Sequence, residues 1–117
     1  FENLLKLKKS LKFKKVHIWG VAYKKNIDDI RESPSIELIR KMIKQKIKFS
    51  YSDPFVKKIK INKEIYKSLI IGKNKFDLSI IMTDHDKFNY NKINKLSRYI
   101  IDCRGRFDSD QKRIFYL

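Results

Sequence analysis

The fold is decided by one stretch, residues 16–34, which reads Val-His-Ile-Trp-Gly-Val-Ala-Tyr-Lys-Lys-Asn-Ile-Asp-Asp-Ile-Arg-Glu-Ser-Pro. A short apolar segment ends at Gly20 and indicates a strand, and a loop rich in charged residues follows it. Ser33 is suited to cap a helix whose first residue is Pro34, where a missing backbone N–H does no harm. In an open α/β sheet a strand-to-helix loop lies at the carboxyl edge, where ligands bind. We therefore predict that this loop belongs to a ligand site.

Length and composition predict a single packed domain. The chain has 117 residues, of which 42% are hydrophobic, with only 3 Gly and 2 Pro, and this composition argues against disorder. We expect residues 1–15 to be a lead-in segment, which the helical spacing of its leucines makes a candidate helix, and residues 16–117 to form the domain. No run approaches the ~18 apolar residues of a membrane span, and the one cysteine excludes an internal disulfide. A cytoplasmic protein fits both observations.

The net charge is the unusual feature of the composition. Lys and Arg number 29 against 13 Asp and Glu, for a formal charge of +16, and such an excess is typical of proteins that bind nucleic acid or anionic surfaces. The lysines are spread over every segment, however, which favours a solvated surface over a dedicated binding stripe. A basic nucleic-acid- or anion-binding module remains the alternative function, and we expect no membrane partner.

Apolar periodicity divides the rest of the chain into alternating strands and helices. Ile36, Ile39 and Ile43 give one apolar face to the helix that begins at Pro34, and this helix is expected to end near Lys46 without a terminating glycine. The remaining predictions are a strand at 47–51, a single helix within 55–75, a strand at 78–82, a short helix at 91–96 and a strand at 99–102, with 106–117 unassigned. This alternation predicts an α/β fold: a three-layer α/β/α, Rossmann-like domain with a mostly parallel sheet.

The loop after Gly20 lacks the glycines of a dinucleotide site. The residues that follow are Val, Ala, Tyr and Lys, so the G-x-G-x-x-G fingerprint is absent. The loop instead offers Tyr23, Lys24 and Arg31, whose cations suit phosphate or carboxylate. Arg104 follows the last predicted strand and is expected at the same edge of the sheet. A charged loop that only faces solvent is the alternative interpretation.

The acidic residues near these cations have simpler structural interpretations. Asp28, Asp29 and Glu32 could act as acid or base, but ion pairs within the loop are favoured. Asp53 ends the second strand, where a dinucleotide domain places its ribose-binding acid. With Pro54 next to it and no glycine fingerprint, a turn is the favoured role.

The other candidate residues are also expected to be structural. His17 is predicted to be a hydrogen-bonded strand residue rather than a ligand. Residues 84–86 read Asp-His-Asp, but adjacent side chains of an extended segment point apart, so we predict no metal site. Cys103 has no evident activating partner and is interpreted as a small buried hydrophobic residue.

Four motifs in this sequence resemble those of a known family. They are Gly-Val-Ala-Tyr-Lys-Lys-Asn-Ile-Asp-Asp-Ile-Arg-Glu-Ser-Pro at 20–34, Tyr-Ser-Asp-Pro at 51–54, Thr-Asp-His at 83–85 and Ile-Asp-Cys-Arg at 101–104. From residue 16 to about 107 the chain resembles the C-terminal domain of the UDP-glucose/GDP-mannose dehydrogenases, NAD-dependent enzymes that oxidise a sugar nucleotide twice, to its uronic acid. The motifs look most like those of the bacterial branch that acts on UDP-N-acetylglucosamine, the UDP-N-acetylglucosamine 6-dehydrogenases, which serves surface polysaccharide synthesis.

The resemblance implies a division of labour between domains. In the family an N-terminal domain binds NAD, a central domain mediates homodimerisation, and the C-terminal domain closes over the UDP-sugar. On the matching positions, Tyr23, Lys24 and Arg104 would contact the UDP-sugar, and Arg31 would reach the phosphates of NAD. No catalytic residue of the family falls in this chain, because the catalytic cysteine belongs to a motif absent here and is not Cys103. The isolated chain is therefore expected to be inactive.

Overall fold

Five parallel strands form the central sheet of the computed structural model, which describes residues 13–107 and 112–116. In chain order the elements are β1 (Val16–Trp19), α1 (Pro34–Lys44), β2 (Phe49–Ser52), β3 (Lys58–Ile61), β4 (Glu64–Lys67), β5 (Phe76–Ile81), α2 (Tyr90–Leu96), β6 (Ser97–Asp102) and β7 (Ile114–Tyr116). The strand order in the sheet is β2-β1-β5-β6-β7, and each neighbouring pair is parallel. Strand β1 therefore lies between β2 and β5, and its carboxyl end leads directly into residues 20–33.

The two faces of the sheet carry separate apolar clusters. Val16 and Ile18 of β1 lie in one cluster with the buried face of α1, and Trp19 lies in the other with residues of α2. The helix residues in these clusters are Ile36, Ile39 and Met42 of α1 and Ile93 and Leu96 of α2. Because a helix covers each face, the predicted three-layer α/β/α fold with a parallel sheet is confirmed.

Helix α1 begins and ends as its sequence predicts. The hydroxyl of Ser33 accepts a hydrogen bond from the backbone N–H of Ser35, at 3.2 Å, and donates one to the carbonyl of Val21, at 2.8 Å. Pro34 occupies the first helical turn. After the other end, Lys46 adopts a φ of +58°, a conformation that favours glycine, so the turn into β2 carries local strain. Ser33 thus fixes both the start of the helix and the end of the loop before it.

The single helix predicted within residues 55–75 is wrong. The segment contains an antiparallel hairpin of β3 and β4, in which Ile61 pairs with Glu64. Its two-residue turn consists of Asn62 and Lys63, with φ angles of +53° and +71°, the left-handed pair that closes a tight hairpin. Ile59 and Ile61 are buried while the lysines between and beside them are exposed. This alternation has the period of a strand, and it outweighs the weaker helical spacing of the segment.

The remaining elements lie close to their predicted positions. The other predicted strands and the short helix are observed with ends shifted by at most two residues. The unassigned tail contains β7, of which Ile114 is buried against the sheet. The predicted lead-in helix falls outside the described residues, except for residues 13–15. None of the helices in the described part of the chain combines the length and apolar character required to span a bilayer.

Candidate functional site

The carboxyl ends of four neighbouring strands are joined by backbone hydrogen bonds. The N–H of Gly20 donates to the carbonyl of Ser52 at the end of β2, at 2.9 Å, and that of Thr83 donates to the last residue of β1, at 3.2 Å. The N–H of Cys103, just after β6, donates to Ile81 of β5 at 3.1 Å. The segments that follow β1, β2, β5 and β6 therefore start side by side at one edge of the sheet.

The β1–α1 loop (residues 20–33) is held on its first side by buried side chains. Oδ2 of Asp53 accepts hydrogen bonds from the backbone N–H groups of Val21, at 2.8 Å, and Ala22, at 3.2 Å. The hydroxyl of Thr83 donates to the carbonyl of Ala22 at 2.7 Å. Asp53 and Thr83 are both buried. The start of the loop is therefore fixed from two neighbouring strands.

The second side of the loop is fixed at Asn26. Its backbone N–H donates to Nδ1 of His85, at 2.8 Å. Its side-chain amide donates to Oδ2 of Asp86, at 2.8 Å, and its side-chain oxygen accepts from the backbone N–H of Asp86, at 3.1 Å. Asn26 has a φ of +65°, which asparagine tolerates better than most residues. Residues 23–25 are therefore held at both ends.

His85 and Asp53 form a buried pair beneath the loop. Nε2 of His85 lies 2.9 Å from Oδ2 of Asp53, and neither side chain is exposed. Oδ1 of Asp53 accepts from the backbone N–H groups of Phe55 and Val56, at 2.8 and 3.2 Å, which confirms the predicted turn. Burial alone would raise the pKa of Asp53, but hydrogen bonds from His85, Val21 and Phe55 outweigh it and lower that pKa. The loop contacts of Asp53 were not predicted, because its partners lie 31 and 32 positions away in the sequence.

Tyr23 and Lys24 project from the held loop into solvent. Tyr23 is 49% exposed, and Lys24 is also exposed. Within residues 13–107 and 112–116 neither side chain has a hydrogen-bond or ion-pair partner. The backbone N–H of Tyr23 donates to the carbonyl of Asp29, at 2.6 Å. The loop thus presents an unpaired phenol and an unpaired ammonium group on a fixed backbone, an arrangement that suits recognition of phosphate.

Arg31 is paired within the loop. Its Nη2 lies 2.8 Å from Oδ2 of Asp29, and its backbone N–H donates to Oδ1 at 2.9 Å. The hydrogen bonds from Arg31 lower the pKa of Asp29 to about 2. The predicted ion pair is confirmed for Asp29, whereas Asp28 and Glu32 form none within the described residues. The side chain of Arg31 is 87% exposed, so an anion from solvent can compete with Asp29 for it.

The loop after β6 carries two arginines with different surroundings. Arg104 is exposed, and its Nε donates to the carbonyl of Met82 at 2.8 Å. Arg106 instead contacts the carboxylates of Asp84, at 3.4 Å, and Asp86, at 3.1 Å. The two terminal nitrogens of Arg104 have no hydrogen-bond partner in the described part of the chain. Arg104 is therefore available to a ligand, and Arg106 is committed to its neighbours.

Asp86 connects the two loops that carry the predicted site residues. Its Oδ2 accepts from the side chain of Asn26, and its Oδ1 accepts from Arg106. These two hydrogen bonds lower the pKa of Asp86. Arg104 lies on the same edge as the tip of the first loop, although no hydrogen bond joins them among the described residues. A ligand that touched both would lie across the segment after β5.

Two residues with potential chemistry have structural surroundings. His17 lies between the hydroxyls of Ser50 and Ser52, at 2.6 and 2.8 Å, and burial lowers its pKa to about 3. The predicted paired strand histidine is therefore confirmed. Sγ of Cys103 lies 3.7 Å from the sulfur of Met82. Cys103 is half-buried rather than buried as predicted, and this burial raises the pKa of its thiol. Among the described residues no group of three or more His, Cys, Asp or Glu side chains is arranged to hold a metal ion.

Part of the positive charge lies at the opposite, amino edge of the sheet. Two grooves of about 340 and 490 Å³ open there, and both have Lys14, Lys15 and Lys75 in their walls. Lysines therefore occur at both edges of the sheet and on the outer side of α1. This distribution agrees with the predicted solvated lysine surface.

A family model matches most of the chain. Residues 17–109 match the UDP binding domain of the UDP-glucose/GDP-mannose dehydrogenase family. An NDP-N-acetyl-D-galactosaminuronic acid dehydrogenase of Ralstonia solanacearum is 33% identical over 95 residues, which cover 78% of this chain and 22% of the relative. A UDP-N-acetyl-D-mannosamine dehydrogenase of Methanocaldococcus jannaschii is 34% identical over 92 residues, which cover 74% of this chain and 20% of the relative. The chain thus spans about a fifth of the length of these relatives.

Solved structures share the fold. A UDP-N-acetyl-mannosamine dehydrogenase of Staphylococcus aureus matches with a TM-score of 0.73 at 24% identity, covering 98% of this chain and 28% of that one. A GDP-mannose dehydrogenase of Pseudomonas aeruginosa matches with a TM-score of 0.71 at 18% identity, covering 98% and 30%. None of these four proteins is named for UDP-N-acetylglucosamine, so that sugar stays a prediction for this chain. None of the four names supports the alternative of a nucleic-acid-binding module. The chain belongs to the UDP-glucose/GDP-mannose dehydrogenase family, and it corresponds to the UDP binding domain of that family.

Proposed function

We propose that this chain is the UDP-sugar-binding, C-terminal domain of an NAD-dependent UDP-sugar 6-dehydrogenase, which oxidises the C6 alcohol of the sugar in two steps to the uronic acid. The observation that carries the proposal is the exposed tip formed by Tyr23 and Lys24. The side chains of both residues have no polar partner among the described residues, and the backbone on either side of them is held at Ala22 and Asn26. Because a held loop has little conformational freedom left to lose, binding there is less costly than on a flexible loop.

The three proposed substrate contacts have complementary chemistry. The ammonium group of Lys24 pairs with the diphosphate of the UDP-sugar, and the hydroxyl of Tyr23 donates a hydrogen bond to the same nucleotide. Arg104 approaches from the neighbouring loop, and its two terminal nitrogens can form a bidentate contact with a phosphate. Two cations from two loops would then neutralise the two charges of the diphosphate bridge.

The cofactor and the other domains belong to the same proposal. The loop after β1 lacks the glycine fingerprint of a dinucleotide site, so NAD is bound chiefly by an N-terminal domain outside this chain. The exposed side chain of Arg31 reaches the phosphates of NAD by exchanging its partner Asp29 for them. A central domain joins two such subunits into a homodimer. This chain on its own binds UDP without catalysing oxidation, since its only cysteine is the half-buried Cys103.

The test is a titration of this chain with UDP, followed by proton–nitrogen correlation NMR. We expect the amide signals of Tyr23, Lys24 and Arg104 to shift at millimolar UDP. Lys24→Ala should weaken UDP binding about tenfold. Lys44→Ala removes the same charge from an exposed position at the far end of α1 and should change the affinity less than about twofold. An unchanged loop spectrum at millimolar UDP would refute the proposal.

A second titration separates UDP recognition from general attraction of anions. Inorganic pyrophosphate carries the diphosphate charge without the uridine, and uridine carries the base and sugar without the charge. We expect each to bind more weakly than UDP and to perturb only part of the loop. If pyrophosphate bound as tightly as UDP, the loop would be an anion site without nucleotide specificity, and the proposed function would be wrong.

A further inference from the structure

We propose that the buried pair of His85 and Asp53 positions the tip residues Tyr23 and Lys24 for UDP, and that the two ring nitrogens of His85 have separate tasks. Nδ1 fixes the backbone at Asn26, and Nε2 fixes the carboxylate that holds Val21 and Ala22. This inference rests on the proposed UDP site and adds to it two residues that do not touch the ligand. Both act through the backbone of the loop and are positioning residues.

The hydrogen bonds place one partner of the pair on each side of the tip. Before the tip, Oδ2 of Asp53 accepts from the N–H groups of Val21 and Ala22. After the tip, Nδ1 of His85 accepts from the N–H of Asn26. The same carboxylate oxygen, Oδ2, lies 2.9 Å from Nε2 of His85. The two anchor points of the tip are therefore joined through a single buried contact.

The hydrogen-bond pattern fixes the protonation of the histidine ring. Because a backbone N–H can only donate, Nδ1 of His85 accepts from Asn26 and carries no proton. Nε2 then carries the proton and donates it to Asp53, which is an acceptor when ionised. The ring lies against Phe55, at 4.8 Å between ring centres, and Phe88, at 5.5 Å. These aromatic neighbours exclude water from the pair and keep the ring in this orientation.

The tip has little local structure of its own to replace this support. Asn26 holds a left-handed backbone conformation, which costs asparagine more than glycine although less than most other residues. Within the loop, the backbone contact across the tip is that of Tyr23 with Asp29. Loss of the Nδ1 acceptor would leave the N–H of Asn26 unpaired and favour other loop conformations. UDP would then have to order the loop on binding, which lowers its affinity.

Two substitutions separate the tasks of the two nitrogens. His85→Asn keeps an acceptor at the position of Nδ1 and removes the donor to Asp53. His85→Gln keeps a donor at the position of Nε2 and removes the acceptor for Asn26. We expect the Asn26 amide to exchange with deuterium about tenfold faster in the Gln variant than in the Asn variant. UDP should bind the Gln variant about fivefold more weakly than the Asn variant.

The outcomes distinguish positioning from a purely structural role. If UDP affinity is unchanged in both variants, or falls only in proportion to their melting temperatures, the pair is structural and the inference is wrong. The nitrogen chemical shifts of His85 in the unsubstituted chain show which ring nitrogen carries the proton. Protonation at Nδ1 would also overturn the inference. Amide exchange of Asn26 and the tautomer of His85 are measured without UDP. If the chain fails to bind UDP, the proposed function is contradicted, but these two measurements still show whether His85 holds the loop.

Discussion

A Cβ atom built on Gly20 would lie 2.5 Å from the Cβ of Thr83 and equally close to the carbonyl oxygen of Thr83. Gly20 also has a φ of +87°, a conformation that side chains other than hydrogen rarely allow. The missing side chain lets the chain leave β1 directly against the segment after β5. The first turn of the loop therefore depends on glycine for both space and backbone conformation.

Gly20→Ala is expected to lower the free energy of unfolding by about 3 kcal/mol, since the clash involves backbone that cannot rotate away. Urea denaturation measures the change. Gly72→Ala is the matched control, because its added Cβ would meet nothing within 4 Å, and it should change stability by less than about 0.5 kcal/mol. Equal effects at the two glycines would contradict the close packing at Gly20.

The hairpin turn offers a stabilising substitution. Lys63 holds a φ of +71° after Asn62 in a two-residue turn, and Asn-Gly is the pair that this turn prefers. Lys63→Gly should therefore raise the free energy of unfolding by about 0.5–1 kcal/mol. Lys60→Gly, at an exposed position within β3, should lower it by a similar amount. A loss of stability in both variants would mean that the turn is not left-handed at Lys63.

His17 is expected to make the fold sensitive to acid. Burial lowers its pKa from the ordinary value of 6.5 to about 3. Between these two pH values His17 therefore carries a proton in the unfolded chain and none in the folded chain. Above pH 6.5 His17 therefore leaves the free energy of unfolding unchanged. As the pH decreases from 6.5 toward 3, protonation of His17 in the unfolded chain lowers that free energy.

The measurement is the slope of unfolding free energy against pH in urea, compared with His17→Gln. Between the two pKa values the slope should be shallower in the variant by up to about 1.4 kcal/mol per pH unit. Since the comparison uses slopes, it holds even if the variant is less stable throughout. Identical slopes would show that His17 does not titrate on unfolding.

Of the two arginines after β6, one is expected to affect UDP binding and the other the stability of the fold. Arg104→Ala removes a side chain whose terminal nitrogens are unpaired among the described residues, so we expect weaker UDP binding with little change in melting temperature. Arg106 pairs with two carboxylates and lies 4.6 Å from the centre of the Tyr90 ring. Arg106→Ala should lower stability by up to about 1 kcal/mol. The reverse pattern in calorimetry and UDP titration would contradict the assignment of Arg104 to the site.

The sequence predicts the parts of the fold whose determinants are local. The apolar run of β1 and the Ser33–Pro34 start of α1 are signals carried by adjacent residues, and the structure agrees with both. The sequence does not predict the hairpin, because its turn lacks the expected glycine. In addition, Ile61, Ile65 and Leu69 repeat every four residues and so imitate one face of a helix. The sequence does not predict β7, because its pairing with β6 is a contact between distant segments.

The residues of the candidate site also separate into those that the local sequence predicts and those that it does not. The sequence predicts Tyr23, Lys24 and Arg104 at the carboxyl edge, because each lies in the loop after a recognisable strand. The support from Asp53 and His85 was not predicted, since nothing near them in sequence marks the loop as their partner. Asp53 shows why: its turn contacts are with residues two and three positions ahead, whereas its contact with Val21 spans 32 positions. Only the short-range contacts of the turn can be recognised from neighbouring residues in the sequence.

The long span of these loop contacts has a consequence for the order of folding. Ala22 and Asp53 are 31 positions apart, and Asn26 and His85 are 59 apart. Closing loops of this length costs chain entropy before any contact is gained, so we expect the tip of the loop to take its shape only after β1, β2 and β5 have paired. A nucleotide at the tip would therefore bind only the assembled domain, and would raise the melting temperature of the whole domain through mass action.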